Sequence, residues 1–491
     1  MLGASGPPNS VSESSSFPKY IDEYNIPTPS AAPLAITVDS KGVVWFTESN
    51  ASKIGRFDSL NQSFREYLVP GVGDMWGITV DRTGYVWFTQ YSGKGSVNPG
   101  GVVVGGGHGR LIRFNPVTGN MTIIDIPTVG SFPMRLVTDS RNRVWFTELL
   151  GNKIALYDPS TNLLTEYAVP TNSSGPADLV FDDSVGDLWF TEAYARQVGV
   201  FDSRSHEFTE YPLGASNAAQ MVSSPVGIAM APDGNLWITD HGGNWIVKFN
   251  PPSQSITKYP THFPPADIYP LSIPNGILVD GKGRVWFSEH GGNSIGYLDA
   301  DGSQMVEFPI PTGPISTALW IALAPNDDVW FTEWETNKIG VVHANLQIPI
   351  VLRTSEHSLK LEAGGQTTLS LLTKVSQNVE GNGTFRYSWS SYTPNQVEVA
   401  FSPQYPSLAG LADTPAQTQL RLSPKTPAGN YTLSLGVDAG NIRVWTMLPT
   451  EVTPATSTGM TPVINQSLLI IGVVLVFAVV CGAVFRFRRR H

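Results

Sequence analysis

Apolar residues come in short runs that repeat along the chain. In the first complete copy the runs are Ala35–Val38, Val43–Thr47, Lys53–Phe57 and Phe64–Leu68, separated by turn residues. They read as four strands, A to D. Asp39 to Gly42 joins A to B as an Asp-x-x-Gly turn, in which Asp closes on its own backbone and Gly tolerates positive φ. Trp45 and Phe46 are adjacent in strand B and so point to opposite faces. Both are large and apolar, so both faces of the sheet should be buried. An isolated sandwich sheet leaves one face wet, whereas a blade between two other blades does not. The pair recurs as Trp87-Phe88, Trp145-Phe146, Trp189-Phe190, Trp237-Ile238, Trp286-Phe287 and Trp330-Phe331, at spacings of 42, 58, 44, 48, 49 and 44 residues. A repeat of this length marks a propeller or solenoid.

Seven copies of strands A to C are present, but only six are followed by a strand D. Those six carry Glu66-Tyr67, Asp125-Ile126, Glu166-Tyr167, Glu210-Tyr211, Lys258-Tyr259 and Glu307-Phe308. The missing copy stands at the front, where Glu23-Tyr24 falls in register within residues 20–27. This segment is expected to become the outer strand of blade seven, closing the ring and removing an exposed edge. Residues 20–345 thus predict a seven-bladed β-propeller. Chain order puts the D–A and B–C loops on one rim. The long B–C insertion of blade two, Tyr91 to His108, shares that rim and is Gly-rich enough for a lid.

After residue 345 the repeat stops. Seven short alternating runs between 346 and 453 predict an Ig-like β-sandwich, so the fold class is all-β. Residues 1–19 are polar and Ser/Pro/Gly-rich and are expected to be disordered; no basic or apolar leader region is visible there. Residues 454–466 read as a linker. Leu468 to Phe485 carry no charge, long enough for most of a membrane at ~1.5 Å rise per residue. Residues 467–486 are therefore expected to form one transmembrane helix and 487–491 a basic cytoplasmic tail, which leaves the propeller and the sandwich extracytoplasmic. Sequons beginning at Asn50, Asn61, Asn120, Asn172, Asn382, Asn430 and Asn465 fit that side of a membrane.

Composition narrows the functional classes. The net charge of -10 argues against a nucleic-acid partner, which needs a basic footprint. The single cysteine, Cys481, excludes an internal disulfide framework and a zinc–thiolate site. An acid or amide follows each Trp-Phe pair: Glu48, Gln90, Glu148, Glu192, Asp240, Glu289 and Glu333. Oxygen ligands suit Mg²⁺ or Ca²⁺, so Glu48, Asp240, Glu289 and Glu333 are candidate metal ligands on the rim. Alternatively each acid closes its own turn or pairs with Lys53, Lys153 or Lys338. His241 and His290 follow acids on consecutive blades and are candidate bases or ligands. Trp334, Arg135 and Asn275 are candidate contacts for a small-molecule or surface ligand, while Trp76 and Trp320 are expected to pack between blades.

Laid side by side, the copies give VWFTE, KIGRFD and EYxxP in order, which resembles the streptogramin B lyase (virginiamycin B lyase) family of seven-bladed propellers over roughly residues 20–345. The resemblance implies a metal-assisted elimination that opens a cyclic depsipeptide at its ester, with Mg²⁺ on carboxylates and a histidine base in a Pro-His-Gly-Ile type D–A loop. Glu289 and Glu333 are the nearest equivalents of the carboxylates. At the position of the histidine this chain carries Leu34, Met134, Ala177, Val226, Asn275 and Leu319, and blade two reads Met75-Trp76-Gly77. Two functions are open: a metal-dependent lyase on a cyclic or ester-containing molecule, or a membrane-anchored surface propeller that binds a ligand without turnover.

Overall fold

A computed structural model of the chain describes residues 18–93, 96–97, 103–104, 107–214, 223–261, 271–375, 385–391, 397–406 and 414–455. The expected transmembrane helix and tail, the linker from 456 on and most of the N-terminal segment lie outside these residues, as does much of the blade-two insertion. Among the described residues no helix is long and apolar enough to cross a membrane.

Seven four-stranded antiparallel sheets form the ring. Blade one is Pro33–Val38, Val43–Glu48, Lys53–Asp58 and Ser63–Leu68, and blades two to six repeat this order. Blade seven takes Ala318–Leu323, Val329–Glu333 and Lys338–Val342 from the end of the ring and Ile21–Asn25 from the front. Ile21 lies opposite Val342 and Asn25 opposite Lys338, as the count of strands predicts. The innermost strands touch in sequence around the ring, with that of blade seven against that of blade one.

The Trp-Phe pairs explain why the sheets stack. Each Trp and each Phe (Ile238 in blade five) is buried, one on either face of its blade. The indoles of Trp87, Trp145 and Trp286 also donate to Asp81, Asp139 and Asp280 of the preceding turn. The glycine of the KIG motif has a steric reason. A Cβ on Gly55 would come within 2.0 Å of the Phe46 ring, and Gly199 and Gly340 stand in the same relation to Phe190 and Phe331.

The third conserved element of strand B is the hydroxyl after the Phe. In six blades a register shift early in strand A interrupts the A–B ladder. Such a bulge leaves a backbone N–H unpaired. In blade one the Ala35 N–H turns to Thr47 Oγ1 instead, at 2.9 Å, and Thr47 Oγ1 donates onward to the Met75 carbonyl of blade two, also at 2.9 Å. The onward bond repeats from Thr89, Thr147, Thr191, Thr239 and Ser288, and Thr332 completes the circle on the Leu34 carbonyl of blade one. All seven hydroxyls are buried, and each ties its blade to the next.

The C-terminal region contains two sheets among the described residues. One is Ile350–Thr354, Gln366–Val375, Thr414–Leu422 and Val397–Ser402. The other joins Arg386–Ser391, Gly429–Asp438 and Arg443–Thr453, with Leu359–Glu362 parallel to the last. Eight strands are present rather than the seven runs expected; Ile350–Thr354 was hidden in an apolar stretch next to the last blade. This region does not stand apart from the ring. Arg443–Thr453 pairs with Gln304–Pro309, the outer strand of blade six, and one apolar core runs through both.

His343 secures the closing strand. Its Nε2 lies 2.8 Å from Asp22 and its Nδ1 3.3 Å from Asp328. These carboxylates raise its pKa to about 9. A raised value means that the stability it contributes is full below pH 6.5 and is lost as pH rises through about 9. His343→Gln is expected to destabilise the chain by about 1 kcal/mol at pH 6, a figure reduced for solvent screening, and to have little effect at pH 10. Thermal melts of both forms at the two pH values check this.

Candidate functional site

The acids after the Trp-Phe pairs do not line the rim as an open ring. Glu48, Glu148, Glu192, Glu289 and Glu333 are fully buried and Asp240 is 2 % exposed. Nor do the strand-C lysines pair with them. Lys53 Nζ bonds Glu66 of strand D at 2.9 Å, Lys153 bonds Glu166 at 2.7 Å, and Lys338 faces Glu23 at 3.6 Å. Thr28, Thr128, Thr171 and Thr312, each following strand D of the previous blade, donate their backbone N–H to Glu66, Glu166, Glu210 and Glu23. The network therefore also ties consecutive blades.

Behind it, Glu48, Glu148, Glu192 and Glu333 lie within hydrogen-bond reach of Glu66, Glu166, Glu210 and Glu23. As ionised groups, Glu48, Glu148 and Glu192 would have no donor at either oxygen. Burial above all, reinforced by the adjacent carboxylate, raises each of the four to about 8. Burial thus favours the protonated form of each of these four glutamates.

Blade two lacks both acids together. Its register puts Ile123 opposite Ile112, the place Glu66 takes opposite Gly55, so Asp125 is two residues beyond the position expected for it. Gln90 replaces the first acid. In blade five Asp240 closes its own turn: Oδ1 accepts from Ser224 and Gly243, and Oδ2 accepts from the Trp245 indole at 2.6 Å. Glu333 accepts from Thr336. Asp240 and Glu333 thus spend carboxylate oxygens on groups of their own blades. Among the described residues no three His, Cys, Asp or Glu side chains converge on a metal position.

His241 and His290 are not exposed rim residues. Both are buried, and their rings stack at 5.1 Å between centroids with 25° between planes. Burial holds both below the usual histidine range, His290 at about 4, so the pair is neutral. The sequence placed them after acids on consecutive blades, but their ring contact joins two B–C turns that are distant along the chain.

The positions aligned with the family histidine gather in one place. Leu34, Trp76, Met134, Ala177, Val226 and Leu319 are buried in one apolar cluster with Tyr91, Phe132, Leu149 and Trp320, and Trp334 packs against it. Asn275, at the same level, donates its amide to the Leu319 carbonyl. Arg135 lies against this cluster. Its Nε bonds Asp178 at 3.3 Å, and its guanidinium lies 3.9 Å from the Trp320 ring centroid. Asp178 also accepts the Ile228 N–H of the next blade. Burial pushes the Asp178 carboxyl up against the opposing pull of Arg135. Three donors in this neighbourhood meet no acceptor among the described residues: Trp76 Nε1, Trp320 Nε1 and Arg135 Nη1.

The backbone here is strained. Two residues before the aligned position, φ is positive at Ala32, Phe132, Ile273 and Thr317. For β-branched Ile273 (52°) and Thr317 (56°) this is a costly conformation. Their carbonyls accept the N–H of His290 and Trp334, which holds the turns in place.

The sequence model of the virginiamycin B lyase family matches residues 103–359. A search of curated proteins returned no match. Among solved structures, a streptogramin B lyase is 27% identical over 66% of this chain and 97% of its own, with a TM-score of 0.55. A catalytically inactive histidine-to-alanine variant of virginiamycin B lyase from Staphylococcus aureus, solved with quinupristin, is 26% identical over 65% of this chain and 98% of its own, also at 0.55. Hydrazine synthase of Kuenenia stuttgartiensis, 13% identical over 66% of this chain and 98% of its own with a TM-score of 0.50, shares the fold.

The carboxyl pairs carry a pH signature. The proton on Glu48, Glu148, Glu192 and Glu333 is bound in the folded chain and released in the unfolded one above pH 4.5, so the stability it contributes is full below 4.5 and is lost toward about 8. Glu66 and Glu166 are held below their usual value, and their contribution is lost as pH falls below 4.5. The melting temperature is expected to peak in mildly acid solution and to fall toward pH 8. Glu48→Gln keeps a donor to Glu66 and should reduce that fall, changing stability at pH 5 by less than about 1 kcal/mol. Melts from pH 4 to 9 decide it.

Proposed function

The chain belongs to the virginiamycin B lyase family, and from that premise we propose that its propeller binds an apolar, ring-containing small molecule at the channel mouth without turning it over. One observation carries the reading: an apolar cluster, with Arg135 against its Trp320, has three hydrogen-bond donors, the two indoles of Trp76 and Trp320 and Nη1 of Arg135, that meet no acceptor among the described residues. Buried donors are rarely left unpaired. A ligand suited to them is rich in acceptors and apolar elsewhere, as the ester and amide carbonyls of a cyclic depsipeptide are. Apolar walls with a few convergent polar groups are the usual make-up of a small-molecule site.

Two features favour binding over elimination. The aligned histidine position holds Leu, Trp, Met, Ala, Val, Asn and Leu around the ring. The Staphylococcus aureus relative that has lost a histidine to alanine is catalytically inactive yet was solved with quinupristin. The lyase reading rests instead on His290 and His241, a neutral imidazole pair on the same rim and chemically fit to accept a proton. Mg²⁺ or Ca²⁺ would enter only that second reading. The apolar run Leu468 to Phe485 and the arginines after it support display of the propeller outside a membrane, with the two-sheet region as an Ig-like stalk.

Titrating the full-length chain with quinupristin, followed by tryptophan fluorescence and by mass spectrometry of the ligand, separates the readings. Binding with the ligand intact is expected, unchanged by Mg²⁺ or by His290→Ala, and weakened about tenfold by Trp320→Phe through loss of one donor. Opening of the ester that stops in His290→Ala would establish the lyase. Absence of binding would refute the site for this ligand class.

A further inference from the structure

Blade six carries both acids of the buried network, Glu289 on strand B and Glu307 on strand D, but not its lysine. Opposite the first acid stand Lys53, Lys153 and Lys338 in blades one, three and seven and Gln197 in blade four; opposite Glu289 stands Ser294. A cation is present nonetheless, and it comes from outside the ring. Strand Arg443–Thr453 pairs antiparallel with Gln304–Pro309 and sets Arg443 directly opposite Glu307. Arg443 Nη1 lies 3.6 Å from Glu307 Oε2 and donates to Ser294 Oγ at 3.3 Å, while Nε donates to Asp438 at 3.3 Å. Ser294 Oγ in turn donates to the Gly292 carbonyl at 3.1 Å. Gly292 belongs to the Glu289-to-Asn293 turn that carries His290 onto the rim.

We infer that Arg443 is a positioning residue: the C-terminal region supplies the cation that blade six lacks and, through Ser294, holds the Glu289–His290 turn in place. Three observations independent of one another support this. The registers align Ser294 with three lysines. Glu307 is fully buried, so a charge there requires a partner, and the cation beside it is the half-buried Arg443. The contact lies where two sheets become one, so the Arg443 guanidinium is held by the β-ladder and not by a flexible stem alone. The paired strand also gives this blade a covered outer edge, which blade one, with Ser63–Leu68 outermost, does not have. The chain thus has a path from its C-terminal region to the rim that is three groups long: guanidinium, hydroxyl, carbonyl. This role concerns the turn itself and holds whatever the channel mouth binds.

Hydrogen exchange of the full-length chain, read by mass spectrometry, tests it. In Arg443→Ala the amides of 289–293 are expected to exchange about tenfold faster, the effect of losing one charge-assisted hydrogen bond. The matching turn 148–152 of blade three should be unchanged. Adding Ser294→Lys to Arg443→Ala restores the lysine pattern of blades one, three and seven and is expected to bring protection of 289–293 back. Unchanged exchange at 289–293 in Arg443→Ala would overturn the inference. If Arg443→Ala instead loosens both turns, the double variant and Arg443→Lys decide. Recovery of 289–293 in either supports the role, and recovery in neither refutes it.

Discussion

A ring of hydroxyls holds this molecule together. Seven Thr or Ser side chains, one per blade and each two residues past a Trp, donate to a backbone carbonyl of the next blade, the last returning to the first. Stacked apolar faces supply most of the driving force for burial. They do not by themselves specify how far one blade is rotated against the next, whereas a directional bond does. The bulge in strand A and the hydroxyl in strand B belong together, since the first exposes an N–H that the second accepts. The N-terminal strand and His343 then hold the last joint.

That inner ring also decides what the channel mouth can be. The carbonyls that accept the hydroxyls belong to Leu34, Met75, Met134, Ala177, Val226, Asn275 and Leu319. Six of these seven residues stand at the aligned histidine position itself, and Met75 directly precedes Trp76. Their side chains are therefore fixed around the axis by the same bonds that fix the blades. Since they are almost all apolar, the mouth is an apolar cluster with a few donors rather than a carboxylate-lined metal funnel. The strand-B acids are buried inside the blades, and the strand-D acids Glu66, Glu166, Glu210 and Glu23 tie neighbouring blades through the backbone N–H of Thr28, Thr128, Thr171 and Thr312.

Much of the fold was legible because it is written in local patterns. The Trp-Phe adjacency required both sheet faces to be buried, and the missing seventh strand D pointed to residues 20–27. The Asp-x-x-Gly turns followed from backbone needs. What the sequence could not reveal was contact between distant segments. The acids looked like a rim feature because strand order gives the end of strand B but not the direction of its last side chain. Their partners, Glu66 or Glu210, sit two strands away, and Thr28 or Thr171 one blade away. Ser294 in place of a lysine was a visible anomaly, but its explanation lies about 150 residues downstream in Arg443, counting along the printed chain. The hydroxyl ring had a visible signal, an unbroken Thr or Ser after each pair, whose meaning needed the neighbouring carbonyl.

The most direct test of the hydroxyl ring is a pair of substitutions at one joint. Thr147 accepts from Arg135 N–H and donates to the Ala177 carbonyl at 2.8 Å. Thr147→Val keeps shape and removes both bonds, leaving buried backbone groups unpaired, whereas Thr147→Ser keeps the hydroxyl, as blade six does naturally with Ser288. Thermal unfolding should show the valine form melting about 3–6 °C lower and the serine form close to the parent. A valine form that melts with the parent, or a serine form that falls as far as valine, would contradict the account.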